Sequence, residues 1–215
     1  MKRLLPLHRT GTRLIALGLL ASCAPAFAAD ESRRECPASM NRHSVFNCEF
    51  VLSNPNFDER PRNAVSGDPV WHDVPGWQVS APVQIHALWH GSRYLGIAVG
   101  VEPGARMSQT IRVTRLDQGS GVPVPTYHVV FEASSFGRVT DSPLTARLVG
   151  IDSHGAETEL ARVDVSPNDD DLEEFNFNGR PRGDNPASVR VEFVRNGGTR
   201  PIYIGGVGIT QTFDR

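Results

Sequence analysis

The sequence reads Leu52-Ser53-Asn54-Pro55-Asn56-Phe57-Asp58 and, after a long polar segment, Pro75-Gly76-Trp77. The apolar start followed by Asn-Pro-Asn predicts a first strand that ends in a turn, since turns favour asparagine and proline. Trp77, directly after Pro-Gly, is predicted to anchor the chain in the core as it returns from the polar segment. This arrangement indicates a β-sandwich, and no comparable part of the chain indicates catalysis.

The rest of the chain repeats short segments in which apolar and polar residues alternate, and helical periodicity is hard to find. Tyr127, Val129, Phe131 and Ala133, for example, share one face of a predicted strand. With 20 glycines and 16 prolines in the chain, the pattern predicts an all-β fold, an antiparallel β-sandwich of the jelly-roll type. The predicted strands lie near residues 46–52, 84–88, 94–99, 107–113, 127–133, 145–150, 157–163, 175–178, 189–193 and 202–211.

The first 28 residues have the pattern of a secretory signal peptide. A basic start precedes an apolar run at residues 14–21, and a small-residue cleavage site follows at residues 26–28. The apolar run is shorter than the roughly 20 residues that span a bilayer. The basic residues of the start are Lys2, Arg3, Arg9 and Arg13.

A lipidation signal is the alternative for the same region. Leu20-Ala21-Ser22-Cys23 resembles a bacterial lipobox, in which Cys23 would carry the lipid and become the first residue of the mature protein. Both interpretations place the domain outside the cytoplasm: in the periplasm, secreted, or attached to a membrane only through the lipid. We expect a polar lead-in at residues 29–45 and a β-sandwich domain at residues 46–215.

Two cysteines follow the signal region, Cys36 and Cys48. In an oxidising compartment two such cysteines are expected to pair. The bridge would join the lead-in to the first strand, and a loop of this size adds about 3 kcal/mol at most to the free energy of unfolding in the chain-entropy model. A metal or redox pair would call for a CxxC spacing or a third soft ligand, and the sequence has neither.

The charge of the processed chain argues against nucleic acid as a partner. Removal of residues 1–28 takes away four of the 22 basic residues and none of the 24 acidic ones, which leaves a formal net charge of −6. No cluster of basic residues stands out that would neutralise phosphate groups.

Together these segments resemble the galactose-binding-like β-sandwiches, in particular carbohydrate-binding modules of the family 4/9 type. Those proteins open with a strand that ends in Asn-Pro-x-Phe-Glu and later show Gly-Trp; here Asp58 replaces the glutamate, and Gly76-Trp77 follows. The resemblance spans residues 46–212 and implies a non-catalytic domain that binds a glycan or polysaccharide. Its further motifs lie at residues 91–97, at residues 107–111 with an "isQ" element ending near Gln109, at residues 127–133 and at residues 202–209.

The resemblance also implies a structural calcium ion, but the sequence departs from the family at one of its ligands. The family often carries an acidic residue in the last strand, where this chain has Gly205 and Gly206. Calcium takes 6–8 oxygen ligands as a rule, so a missing carboxylate weakens the site. Asp58 is the one side chain that we nominate as a calcium ligand.

Aromatic residues are the natural candidates for sugar binding, because the apolar C–H faces of pyranose rings pack on aromatic rings. In the segment at residues 89–94, Trp89 and Tyr94 would stack on the sugar, while His90 and Arg93 would bind its hydroxyl groups. Trp71, in the polar segment, is a further candidate. The alternative is a hairpin whose Trp89 and Tyr94 cover the edge of the sandwich.

Two other functions stay open at this stage. One is an envelope-assembly or protein-interaction module that keeps the sandwich and binds an envelope protein in place of sugar, which the glycines in the last strand favour. The other is a polysaccharide hydrolase or lyase, which needs two carboxylates, such as Glu132 with Glu192, within about 5–10 Å of each other in a cleft. The sequence has neither a G-x-S-x-G nor an HExxH motif.

Overall fold

The structure is a computed structural model that describes residues 34–37, 39–40, 47–62, 69–90, 92–116, 123–136, 141–167 and 171–213 of the 215-residue chain. The regular structure in these ranges is β-strand, arranged in two principal sheets that enclose one core. The predicted all-β antiparallel sandwich is therefore confirmed. The signal region and Cys23 lie outside the described residues. Within the described ranges no helix is long and apolar enough to cross a membrane.

The described residues form fifteen strands. They are β1 (Arg34–Glu35), β2 (Ser39–Met40), β3 (Cys48–Glu49), β4 (Val70–Trp71), β5 (Gln78–Val79), β6 (Val83–His90), β7 (Arg93–Val101), β8 (Arg106–Arg112), β9 (Arg115–Leu116), β10 (Thr126–Ser134), β11 (Leu144–Ile151), β12 (Glu157–Val165), β13 (Glu173–Gly179), β14 (Ser188–Val194) and β15 (Ile202–Thr212). The longest connection between consecutive strands runs from β3 to β4.

The larger sheet runs in the order β4-β6-β7-β15-β10-β13, and β3 and β1 continue beside the far end of β15. The smaller sheet runs in the order β12-β11-β14-β8-β5. The pairings within both sheets are antiparallel, apart from the parallel pair of β1 with β3. Strands β2 and β9 form a separate parallel pair.

The core lies between the two sheets and consists of the apolar positions that alternate along each strand. In β10, Tyr127, Val129, Phe131 and Ala133 are at most 1% exposed, as the alternation predicts. The matching positions of β14 in the smaller sheet are fully buried as well: Val189, Val191 and Phe193. Each strand therefore buries one face, and its other face is turned away from the core.

The opening stretch lies beside β15, in the gap that β7 and β3 leave along that strand. Phe50 donates its backbone N–H to the Ile209 carbonyl at 2.9 Å, and Val207 donates to the Pro55 carbonyl at 3.1 Å. Of the predicted strand at residues 46–52, the described part, residues 47–52, is regular strand only in the two residues of β3. The chain turns at Asn54 and Phe57, which have φ angles of 49° and 57°.

Asn54 and Trp77 join the two parts of the opening stretch. The indole Nε1 of Trp77 donates to the Asn54 carbonyl at 3.1 Å, and the Asn54 side chain donates to the Pro75 carbonyl at 3.1 Å. The Trp77 ring is 6% exposed and packs on Phe57, with ring centroids 5.3 Å apart. The predicted role of Trp77 as a core anchor is confirmed.

Gln109 holds the same stretch from the opposite sheet. Its Nε2 donates to the carbonyls of Ser53 at 2.8 Å and of Gly76 at 2.7 Å, and its Oε1 accepts the Ser53 N–H at 2.9 Å. Gln109 is 5% exposed and lies on β8. One side chain of the smaller sheet thereby fixes the loop that runs beside the larger sheet.

The predicted disulfide is confirmed. Cys36 and Cys48 are bonded, with Cα atoms 4.8 Å apart. Cys36 also donates its N–H to the Glu49 carbonyl at 3.0 Å, next to the short parallel pair of β1 with β3. The bridge therefore attaches the described part of the lead-in to the first strand of the sandwich.

Candidate functional site

The outer face of the larger sheet carries a row of polar and aromatic side chains. In β10 the residues between the buried positions face away from the core, and directly paired residues of neighbouring strands share that face. Glu132 is paired with Gly206 of β15 and with Glu174 of β13. Two residues earlier, Val130 is paired with Gly208 and Asn176.

Two neighbouring outward positions of β15 at the centre of this face, Gly206 and Gly208, carry no side chain. A Cβ atom placed on Gly208 would meet no atom within 4 Å. A Cβ on Gly206 would meet only Glu132, at 3.4 Å from Oε2, and Asn56, at 3.5 Å from Oδ1. We refer to the strip over Gly206 and Gly208, with the side chains that border it, as the groove. Glu132 borders it on one side and Asn56, from the opening stretch, on the other.

An aromatic cluster made of His86, Phe136 and Tyr203 lies on the same face. The His86 and Phe136 rings are stacked, with centroids 3.8 Å apart, and Tyr203 meets both edge to face, at 5.6 Å and 5.0 Å. The Tyr203 hydroxyl donates to Oε1 of Gln84 at 3.1 Å. Ala98, which is paired with His86 on this face, is fully buried, so other residues cover the outer face of the sheet next to the cluster.

Phe136 reaches the cluster through a tight turn after β10. Its φ angle is 48°, a left-handed conformation that non-glycine residues seldom adopt. The Ser134 hydroxyl accepts the Phe136 N–H at 2.8 Å and so stabilises the turn. Such conformations persist where the surrounding structure fixes them, and they concentrate at binding sites. The His86 side chain is exposed, and those of Phe136 and Tyr203 are half-buried.

Hydrogen bonds fix the imidazole at the other end of the groove. Nδ1 of His128 lies 2.7 Å from Oδ1 of Asn178 on β13, and Nε2 lies 2.7 Å from Oγ1 of Thr212 on β15. The ring thus spans three neighbouring strands. Both ring nitrogens are engaged in these contacts, so the imidazole orders this end of the groove and has no further nitrogen to offer a ligand.

The carboxylates near the groove have an unusual environment. Burial, and secondarily the charge of Glu174, raises the pKa of Glu132 above its ordinary value. On the other side of the groove, Oδ1 of Asp58 lies 3.7 Å from where a Cβ of Gly96 would be. The face therefore combines aromatic rings with carboxylates, amides and hydroxyls around a bare floor.

The predicted ligand residues are only partly within the described side chains. Trp71 is 4% exposed and belongs to the core, so its ring has no free face for stacking, and we reassign it from the ligand site to the core. The backbone pairs Trp89 with Tyr94 and His90 with Arg93 across the β6–β7 hairpin of the larger sheet. Their side chains lie outside the described part of the structure, so their ligand contacts stay a prediction.

The structure gives little to build a calcium site on. A side chain at Gly205 would collide with Leu172. Among the described residues no group of three or more histidine, cysteine, aspartate or glutamate side chains could hold a metal ion. These observations do not provide a set of ligands around Asp58, so its role as a calcium ligand stays a prediction.

The two carboxylates considered for glycan cleavage are separated by the fold. Glu132 lies on the outer face of the larger sheet, whereas Glu192 lies on β14 of the smaller sheet and is fully buried. Arg147 covers Glu192, with Nε donating to Oε2 at 2.8 Å, and Arg106 lies 3.3 Å from Oε1. Since the sheets carry these residues on separate faces, the suggestion that Glu132 and Glu192 act as a catalytic pair is wrong.

Sequence reasoning missed most of the groove. Tyr203 alternates with the buried Ile202 and Ile204, so its outward position could have been predicted from the period-two pattern. Its meeting with His86 and Phe136 could not, because it depends on strands distant in sequence becoming neighbours in the sheet.

The proteins that are similar to this chain are solved structures of low sequence identity. No family model matches the chain, and no curated protein matches its sequence. Solved structures similar to it include a family 4 carbohydrate-binding module, at 18% identity and a TM-score of 0.45, covering 75% of this chain and 100% of that chain. A family 61 module in complex with β-1,4-galactotriose has 18% identity and a TM-score of 0.40, covering 74% of this chain and 95% of that chain.

An enzyme structure is also similar in part. An arabinose-bound α-L-arabinofuranosidase has 12% identity and a TM-score of 0.46; the match covers 85% of this chain but 31% of that chain. Carbohydrate-binding modules of families 6, 16 and 22 are similar to the chain as well, and this is the class whose motifs the sequence resembles. Because the identities and TM-scores are low, we rest the functional proposal on the groove alone.

Proposed function

We propose that the protein is a carbohydrate-binding domain and that the groove on the outer face of its larger sheet is the binding site. The observation that carries the proposal is the bare strip over Gly206 and Gly208 between an aromatic cluster and a row of polar side chains. A flat strip of this kind admits a sugar ring down to the backbone, which bulky side chains would prevent.

The bordering residues supply the two interactions that sugars need. The C–H faces of a pyranose ring pack on aromatic rings, and Tyr203, Phe136 and His86 offer such rings beside the strip. Hydroxyl groups require donors and acceptors, which Glu132 and Asn56 provide at the floor. Residues 89–94, on the hairpin of the same sheet, are proposed to extend the site with Trp89, His90, Arg93 and Tyr94.

We further propose that the domain is non-catalytic and acts outside the cytoplasm, either secreted or anchored to a membrane through Cys23. The signal pattern of residues 1–28 and the disulfide between Cys36 and Cys48 support an oxidising compartment. Mass spectrometry of the mature protein distinguishes the two routes. An N-terminus at Ala29 indicates secretion, and a lipid-modified Cys23 indicates an anchor.

The test of the binding site is a steric block. Gly208→Trp places a large ring over the strip, and we expect the fold to tolerate it, because no atom lies within 4 Å of the new Cβ. Gly183→Trp is the matched control, since Gly183 is equally free of neighbours and lies in the loop between β13 and β14. We expect a glycan array to show binding by the wild type and by Gly183→Trp, and its loss in Gly208→Trp.

Binding that persists in Gly208→Trp would place the sugar elsewhere on the molecule. An array with no bound glycan at all would contradict the carbohydrate-binding function itself. Thermal unfolding of both variants verifies that the tryptophan has not changed the fold.

A further inference from the structure

We infer that Glu132 and Glu174 select the ligand by charge, so that the groove takes a glycan with a free amino group and rejects acidic glycans. This inference rests on the proposed function. It concerns the chemical class of sugar that the groove prefers, which the stacking rings and the glycine floor do not determine.

The first step is the distribution of arginine over the two outer faces. On the smaller sheet the carboxylates have arginine partners: Glu157 with Arg190 at 2.7 Å, and Glu192 with Arg147 and Arg106. On the larger sheet, the outward side chains that the structure describes on β6, β7, β15, β10 and β13 include no arginine or lysine; the side chain of Arg93, at the start of β7, lies outside the described part. Glu132 and Glu174 therefore have no arginine partner among the described residues, in contrast to the carboxylates of the smaller sheet.

The second step is the pairing of two glutamates across neighbouring strands. Glu132 and Glu174 lie directly opposite each other on β10 and β13, an arrangement that is destabilising for like charges. Glu132 is half-buried at the groove floor, beside Gly206. Among the described residues neither carboxylate forms an ion pair that would offset this repulsion.

The third step is the chemistry of a ligand that would offset the repulsion between Glu132 and Glu174. A sugar stacked on Tyr203 and lying over Gly206 would bring its ring substituents close to Glu132. An ammonium group on that sugar gains a charge-assisted hydrogen bond and relieves the repulsion between the two glutamates. A uronate or a sulfate would add a third negative charge at the same place and be repelled.

The experiment is isothermal titration at mildly acidic pH with matched oligosaccharides of equal length. The probes are glucosamine and N-acetylglucosamine oligomers, the galactosamine and N-acetylgalactosamine pair, and a uronate oligomer. We expect at least one free-amine oligomer to bind about tenfold more tightly than its acetylated partner, a difference of about 1.4 kcal/mol, and the uronate not to bind. The preference should weaken as salt rises.

Glu132→Gln and Glu174→Gln keep the side-chain size and remove the charge, and each should reduce the preference severalfold. Glu159→Gln, on the smaller sheet, is the control and should leave it unchanged. Equal binding of amine and acetylated oligomers, or tight binding of the uronate, would overturn the inference while leaving the proposed function in place. Calcium is also titrated without sugar. Saturable calcium binding that Glu132→Gln abolishes would show that the two glutamates bind a metal ion and not a sugar amine, and it would overturn the inference.

Failure of the proposed function has a different signature. In that case no oligosaccharide binds, or binding is insensitive to Gly208→Trp, whatever its charge.

Discussion

Gln109 is expected to control the stability of the opening stretch through three hydrogen bonds, and Gln109→Met removes all three while keeping the length of the side chain. Each such bond contributes about 1 kcal/mol net, so the free energy of unfolding should fall by about 3 kcal/mol. No large further penalty is expected, because Ser53 and Gly76 are exposed and their freed groups can bind water. For a domain of this size the loss corresponds to a decrease in Tm of about 6–12 °C.

Urea unfolding and differential scanning calorimetry of the purified domain measure this loss. Gln78→Met is the matched control, because Gln78 is exposed on β5 and should tolerate the same substitution with little change. The variant should also bind glycan less tightly, since Gln109 fixes the stretch that brings Asn56 to the groove. A loss below about 1 kcal/mol would refute the reasoning, because it would mean that the stretch is held by its other contacts.

Four further predictions concern the groove, its charge and the bridge. Tyr203→Ala should weaken glycan binding about tenfold, whereas Tyr203→Phe, which keeps the ring, should retain most of it in the same titration. Burial raises the pKa of Glu132, so its carboxyl group lowers the stability of the folded state as the pH rises above the ordinary pKa of 4.5. Glu132→Gln should therefore flatten the pH dependence of Tm above that pH, and an unchanged profile would contradict the prediction. Replacing both Cys36 and Cys48 with serine should lower the free energy of unfolding by about 2–3 kcal/mol in urea, and no loss would show that the bridge is dispensable. Trp89→Ala should abolish retention on a bound glycan in affinity electrophoresis without unfolding the domain; unchanged retention would remove Trp89 from the site.

The strands of the sandwich could be predicted from the sequence because their signal is local. Alternation located β10 and β14 to within one residue at each end, as apolar residues at every second position have only one way to reach the core. The two-residue strands β4 and β5 are too short to show a period, and they were missed. Trp77 was placed correctly because Pro-Gly-Trp is itself a local pattern.

The groove could not be predicted because its parts are distant in the sequence. His86, Phe136 and Tyr203 meet only after β7 pairs with both β6 and β15, and no spacing along the chain encodes that meeting. Trp71 was assigned to the ligand site because it lies in a polar segment of the sequence. In the structure β4 pairs with β6, and the Trp71 side chain is buried in the core. Composition around a residue describes its neighbours in sequence, and burial depends on its neighbours in space.

The most direct test of the groove as the binding site is an amide chemical-shift titration of the uniformly labelled domain with an oligosaccharide that binds it. Glycine amides are well suited to this measurement, because they report contacts to the backbone where no side chain intervenes. The account predicts large, saturable shifts at Gly206 and Gly208, smaller ones around Tyr203, and none at Gly183. Shifts confined to the smaller sheet, with Gly206 and Gly208 unmoved at saturation, would contradict it.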